Sequence, residues 1–216
     1  HGISLIDANE LFPDEFPDVN KPNVDWIARL TGELYTAANG YAGPGANLAH
    51  DVYSVGSYGA WAYWWDLRQY NPISDTYDPD APLSLLQTTL EEKTDLWESW
   101  FQENAPDTTR FLYVDDEPTV TIDYSNMVAN LIKNSPVAGD KLDTLVTANP
   151  VDELPALADV TTLAALISVG PTAAWEETIN NNPDLNLYMY NGRRPASGTF
   201  ATDDEGVALR ELAWGQ

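Results

Sequence analysis

The sequence predicts a parallel α/β fold, a (β/α)8 TIM-type barrel incomplete in this chain, with residues 1–216 forming one domain. Three observations carry that expectation. The second half alternates short apolar runs with amphipathic stretches, giving four strand–helix units between residues 110 and 214. The connections between units are short, which favours parallel strands joined by right-handed crossovers. Finally, acidic, amide and aromatic polar residues collect just past the apolar runs, where parallel α/β folds place their functional loops.

Taken in order, residues 3–6 read as a strand ending at Asp7, and 24–34 as a helix with Asn23 as its cap and Pro22 before it. A glycine-rich loop over 40–59 leads into Trp61-Ala62-Tyr63-Trp64-Trp65, with a strand placed near 58–64. A long amphipathic helix is expected over 83–103, with Leu86, Leu90, Leu96, Trp97 and Trp100 on its buried side. The run 110–114 is a buried strand, and 123–134 a helix carrying Met127, Val128, Leu131 and Ile132 at helical spacing. Strands follow over 143–147, 162–169 and 185–190, with helical segments over 154–159, 173–180 and 203–214. Six strands fall short of the eight that close a barrel. The chain is therefore either part of a barrel or an open doubly wound sheet. No repeat or linker divides it.

Charge narrows the partners. Asp and Glu number 34 against 10 Lys and Arg, a net −24. Such a surface repels nucleic acid and anionic membranes. It suits a salty habitat, where self-repulsion is screened, or an acidic extracellular or cell-surface protein for which calcium is a conceivable ligand. No apolar run approaches the roughly 20 residues of a bilayer span, so membrane insertion is not expected. With no cysteine, disulfides, thiolate metal sites and a cysteine nucleophile are excluded. The chain opens at His1 without an initiating Met, which reads as processing, trimming or a partial chain.

The residues just past each strand form a coherent set: Asp7, Asn9 and Glu10; Asp115, Asp116 and Glu117; Thr147 and Asn149; Tyr190, Asn191, Arg193 and Arg194. Trp61, Trp64, Tyr63 and Trp65 offer flat faces of the kind that stack on sugar rings. Neighbouring carboxyls separate one another's titrations, so that one stays protonated while the other is ionised. That is the requirement for protonating a glycosidic oxygen while stabilising positive charge at the anomeric carbon. Strand alternation points Asp116 and Glu117 to opposite faces. They share a pocket only if the strand curls at its end, which Pro118 favours. An acidic triplet is equally compatible with a solvated loop, a helix cap or a calcium site, and a tryptophan-rich stretch with plain core.

Tyr113-Val114-Asp115-Asp116-Glu117-Pro118 resembles the strand-end motif of the glycoside hydrolase family 123-like barrels and their uncharacterised relatives. Tyr190-Asn191-Gly192-Arg193-Arg194-Pro195-Ala196-Ser197-Gly198 resembles the same group. So do Asp203 to Arg210, Gly56-Ser57-Tyr58-Gly59 and His1-Gly2-Ile3-Ser4. The resemblance implies a catalytic (β/α)8 barrel that normally carries a β-sandwich domain, and retaining hydrolysis of β-N-acetylgalactosaminide-like 2-acetamido sugars assisted by the substrate's own acetamido group. By position, Glu117 is then the general acid/base, and Asp116 orients the acetamido nitrogen. Asp115, Tyr190, Asn191, Trp61, Trp64, Asp7 and Asn149 are the candidate substrate contacts. No cofactor and no metal are implied. The family's barrel has further strands before and after this stretch, so missing segments of the parent protein or a neighbouring chain are expected to cover the open sheet edges.

Three other readings remain. One is a carbohydrate-binding or surface scaffold on a barrel that has lost turnover. The discriminator is pocket chemistry: an enzyme holds Glu117 partly buried beside Asp116, whereas a scaffold tolerates both as exposed groups. Another is a conventional retaining glycosidase on a neutral sugar, with Asp7 or Glu10 as a second carboxylate about 5 Å from the acid. The third is a copper brace built on His1 and His50, as in lytic polysaccharide monooxygenases; those are β-sandwiches, which this strand–helix rhythm argues against.

Overall fold

The computed structural model describes residues 5–7, 21–22, 26–43, 45–49, 52–55, 70–71, 76–77, 83–118, 122–166 and 172–190. Asn9, Glu10, Asn23, Trp61, Trp64, Asn191, Arg193, Arg194, His1, His50, the strand expected near 58–64 and the helix expected over 203–214 lie outside them.

Six strands form one parallel sheet: β1 (Leu5–Asp7), β2 (Val52–Val55), β5 (Thr109–Asp116), β6 (Asp143–Thr147), β7 (Thr162–Leu166) and β8 (Asn186–Tyr190). A separate antiparallel pair joins β3 (Tyr70–Asn71) to β4 (Thr76–Tyr77). The strands of the large sheet lie side by side in chain order, β1-β2-β5-β6-β7-β8. A doubly wound sheet reverses its strand order at a switch point. Here the order never reverses, so the chain winds in one direction and the sheet curls into a half-barrel. Among the described strands this is not the order of an open doubly wound sheet.

Alternation along the strands separates two faces. Tyr53, Val55, Leu112, Val114, Val146, Ala148 and Leu163 point outward into one apolar core. That core is covered by α2 (Leu83–Asn104) and α3 (Ile122–Lys133). Trp97 and Phe101 of α2 are fully buried, and Phe101 meets Tyr53 edge-on at 5.3 Å between ring centroids. Removing either ring would cost about 3–5 kcal/mol through lost transfer energy and a residual cavity. Val128, Ala129 and Ile132 are the buried stripe of α3. Fully buried Glu98 on α2 is met by the guanidinium of Arg110 on β5, with Nε donating to Oε2 at 2.9 Å and a second bond from Nη2 to Oε1. This fork ties the start of β5 to the helix layer.

Several expectations need correction. The helix expected over 24–34 is one turn, α1 (Ile27–Leu30). It stops because Gly32 takes φ +79° and the 47–48 backbone packs against it; a Cβ there would stand 2.7 Å from the Asn47 carbonyl oxygen. Strand β2 (52–55) lies within the stretch 40–59 expected as a loop; it is four residues long and three of them are buried, so it shows no strand-like alternation. Leu96 is exposed rather than part of the buried side of α2, while Thr94, Glu98 and Phe101 are fully buried. The helical segment expected over 154–159 is a 3-10 turn, Leu154–Ala156, with Pro155 at its start. The expected strand over 162–169 is described only to Leu166. The remaining strands and helices, including α4 (Thr172–Asn181), match expectation to within a few residues.

Candidate functional site

The site is built by a bulge. In β5, Tyr113 pairs with Leu145 of β6, yet Asp115 pairs with the very next residue, Val146. Val114 is therefore an extra residue. A bulge of this kind puts two successive side chains on one side and resets alternation beyond it. Val114 and Asp115 are both buried on the helix side. Asp115 Oδ2 accepts a 2.7 Å hydrogen bond from Ser125 Oγ on α3, and its Oδ1 accepts from the Asp116 amide at 2.9 Å. Asp115 thus braces the strand end against the helix and does not share a face with Asp116.

Asp116 returns to the concave face beside Tyr113. Its Oδ1 accepts from the Tyr113 hydroxyl at 2.8 Å and from Thr147 Oγ1 at 2.7 Å. In an unbulged strand, residues three apart face opposite sides and this Tyr113–Asp116 bond could not form. Glu117 ends the strand with φ +47°, a left-handed conformation that costs a non-glycine residue about 1–2 kcal/mol. Its amide donates to the Thr147 carbonyl at 3.0 Å and to Thr147 Oγ1 at 2.7 Å. The turn carries the Glu117 side chain over the sheet, where its Oε1 accepts a 2.6 Å bond from the Tyr190 hydroxyl at the end of β8. Asp116 is half-buried, Glu117 is exposed, and Pro118 behind them is buried.

Of the predicted site residues, Asp116, Glu117 and Tyr190 come together. Asp7 ends β1 in register with Ser54 of β2. Asn149 closes its own loop: its side chain accepts from the Val151 amide at 2.9 Å and donates to Asp152 at 2.8 Å. Thr147 stands in the set expected just past the strands and Tyr113 opens the strand-end motif, but nothing in the sequence gives Tyr113 or Ser125 a contact with the acidic residues. A one-residue bulge has no sequence mark, so the contacts it creates had none either. Among the described residues no group of three or more His, Asp or Glu side chains is arranged to hold a metal ion. None of their helices is long and apolar enough to cross a membrane.

The fold and site together define a parallel α/β half-barrel that carries two adjacent carboxylates at the C-terminal ends of its strands. No family model, curated protein or solved structure matches the chain.

Proposed function

We propose that the chain is the catalytic part of a glycoside hydrolase acting on β-linked 2-acetamido sugars, and that the half-barrel belongs to a (β/α)8 barrel. One observation carries this reading: Glu117 Oε1 and the Tyr190 hydroxyl are 2.6 Å apart, directly beside an Asp116 held by two hydroxyl donors. A reactive carboxyl reaching over the sheet beside a second, oriented carboxylate is what acid-assisted glycosidic cleavage needs.

In the proposed reaction, protonated Glu117 gives its proton to the glycosidic oxygen as the bond to C1 breaks. The substrate's acetamido oxygen attacks C1 and forms an oxazolinium ion. Asp116 accepts a hydrogen bond from the acetamido nitrogen and balances the developing positive charge. Glu117, now ionised, takes a proton from water as that water opens the ring, giving net retention. Tyr190 orients the Glu117 carboxyl. The strongly acidic surface supports a secreted or cell-surface setting of high salt, with carbohydrate as the partner.

The test is hydrolysis of aryl β-glycosides of N-acetylgalactosamine and N-acetylglucosamine by the full-length protein, with Asp116→Asn and Glu117→Gln alongside. Turnover lost in both variants supports the reading. Absence of turnover in the wild type defeats it. A second reading, a carbohydrate-binding scaffold, is favoured by the exposure of Glu117; calorimetric sugar binding that survives Glu117→Gln, without turnover, would establish it.

A further inference from the structure

The hydroxyl of Thr147 touches both members of the acidic pair. It donates to Asp116 Oδ1 at 2.7 Å and accepts from the Glu117 amide at 2.7 Å. A threonine hydroxyl has one proton to give, and here both its donor and an acceptor function are engaged with the pair. Thr147 is itself buried and is the last residue of β6. Its backbone is fixed on both sides by the sheet: β5 pairs with it through Asp116, and β7 through Ala164. Its own carbonyl also receives the Glu117 amide at 3.0 Å.

We infer that Thr147 is a positioning residue that sets Asp116 and Glu117 relative to one another from the neighbouring strand. This rests on the proposed glycosidase reading for its catalytic consequence, though not for its geometry. The physical reason lies in the bulge. A strand end released from regular pairing has more freedom than a ladder residue, and Glu117 sits in a conformation that its own side chain disfavours. Something outside β5 has to hold that turn. Thr147 does so with two acceptors on one amide and one donor on the adjacent carboxylate, all from a strand locked into the sheet. The Tyr113 hydroxyl adds to this arrangement, donating to Asp116 Oδ1 at 2.8 Å and lying 3.4 Å from Thr147 Oγ1. A valine at 147 would keep the shape and burial while removing the hydroxyl's bonds to Asp116, the Glu117 amide and Tyr113. A serine would keep the hydroxyl.

The experiment compares wild type, Thr147→Val and Thr147→Ser in the full-length protein by two readouts, steady-state kinetics on the aryl 2-acetamido glycosides and crystal structures. Thr147→Val is expected to lower kcat by about 10- to 100-fold with little change in KM, because a displacement near 1 Å at reacting groups has that effect. Its structure should show the Asp116 carboxylate and the 116–117 turn displaced. Thr147→Ser should restore most of kcat and the wild-type geometry. Full kcat with unmoved carboxylates in Thr147→Val overturns the inference, as does a serine variant that is as impaired as valine. If the wild type does not turn over these glycosides, the glycosidase reading fails on its own. The crystal structures then decide the positioning role: carboxylates displaced by valine and restored by serine uphold it, and carboxylates unmoved by valine overturn it.

Discussion

The Tyr190 hydroxyl donates to Glu117 Oε1 at 2.6 Å across 73 residues of chain, joining the ends of β5 and β8 over the concave face of the sheet. Two strands, β6 and β7, lie between them in the sheet, so the contact depends on the sheet curling as well as on the length of both side chains. Tyr190→Phe removes the donor and keeps the ring. Turnover of the aryl glycosides is expected to fall about 10-fold or more, as for loss of one oriented hydrogen bond in a reacting group. The thermal midpoint should stay within a few degrees of wild type, because the bond is at the surface.

Glu117 holds a left-handed backbone that a side chain disfavours. Replacing it by glycine relieves the strain, and replacing it by glutamine does not. Glu117→Gly is expected to be at least as stable as the wild type, by up to about 1 kcal/mol, after the greater chain entropy of glycine offsets part of the relief. Glu117→Gln should lie within about 0.5 kcal/mol of wild type. Urea unfolding measures both. A glycine variant clearly less stable than wild type would show that the turn is not strained.

The buried fork between Arg110 and Glu98 predicts an asymmetric response. Arg110→Met leaves a fully buried carboxylate without its guanidinium partner and should destabilise by about 3–5 kcal/mol. Adding Glu98→Gln removes the stranded charge and should recover a large part of that loss. A double-mutant cycle by chemical denaturation reads the coupling directly.

Asp159 lies away from the site and gives the fold an acid-sensitive tether. It accepts from Lys133 Nζ at 3.0 Å and from the side-chain amides of Asn130 and Asn126 at 3.0 and 3.3 Å, all on α3. The Lys133 hydrogen bond, with smaller help from the asparagines and against some burial, holds its carboxyl below the ordinary value of 3.8. A carboxyl lowered in the folded state binds fewer protons there than in the unfolded chain. Its contribution is therefore whole above pH 3.8 and is lost as pH falls through the lowered value. Wild type should exceed Asp159→Asn at pH 7 by at most about 1 kcal/mol, given partial exposure. The two should converge once the pH is below that lowered value, as read by urea midpoints along an acid series.

With a net charge of −24, the folded state should gain from salt. The screening length falls from about 10 Å at 0.1 M to about 3 Å at 1 M. Melting temperature should therefore rise steadily with potassium chloride across that range. A flat or falling curve would mean that self-repulsion does not limit this fold.

Much of this protein was decided locally and was legible in one dimension. The 3.6-residue spacing in 83–104 and 122–133 marks the two helices that cover the core, because an amphipathic helix must show its apolar stripe in its own sequence. The runs at 109–116, 143–147 and 186–190 mark strands for the same reason, and the acidic and tyrosine residues just past them marked the candidate site. Tertiary structure decided what depends on residues that are distant in the chain. The order of strands in the sheet, which separates one-directional winding from a doubly wound sheet, is a matter of pairing, and pairing leaves no periodicity. The bulge at Val114 arises from the register between β5 and β6, and it alone turns Asp115 toward Ser125 and brings Asp116 beside Tyr113 and Thr147. Leu96 shows the same limit in the core, being apolar, at helical spacing and yet exposed. Periodicity tells which residues can share a face, and only packing decides which of them are covered.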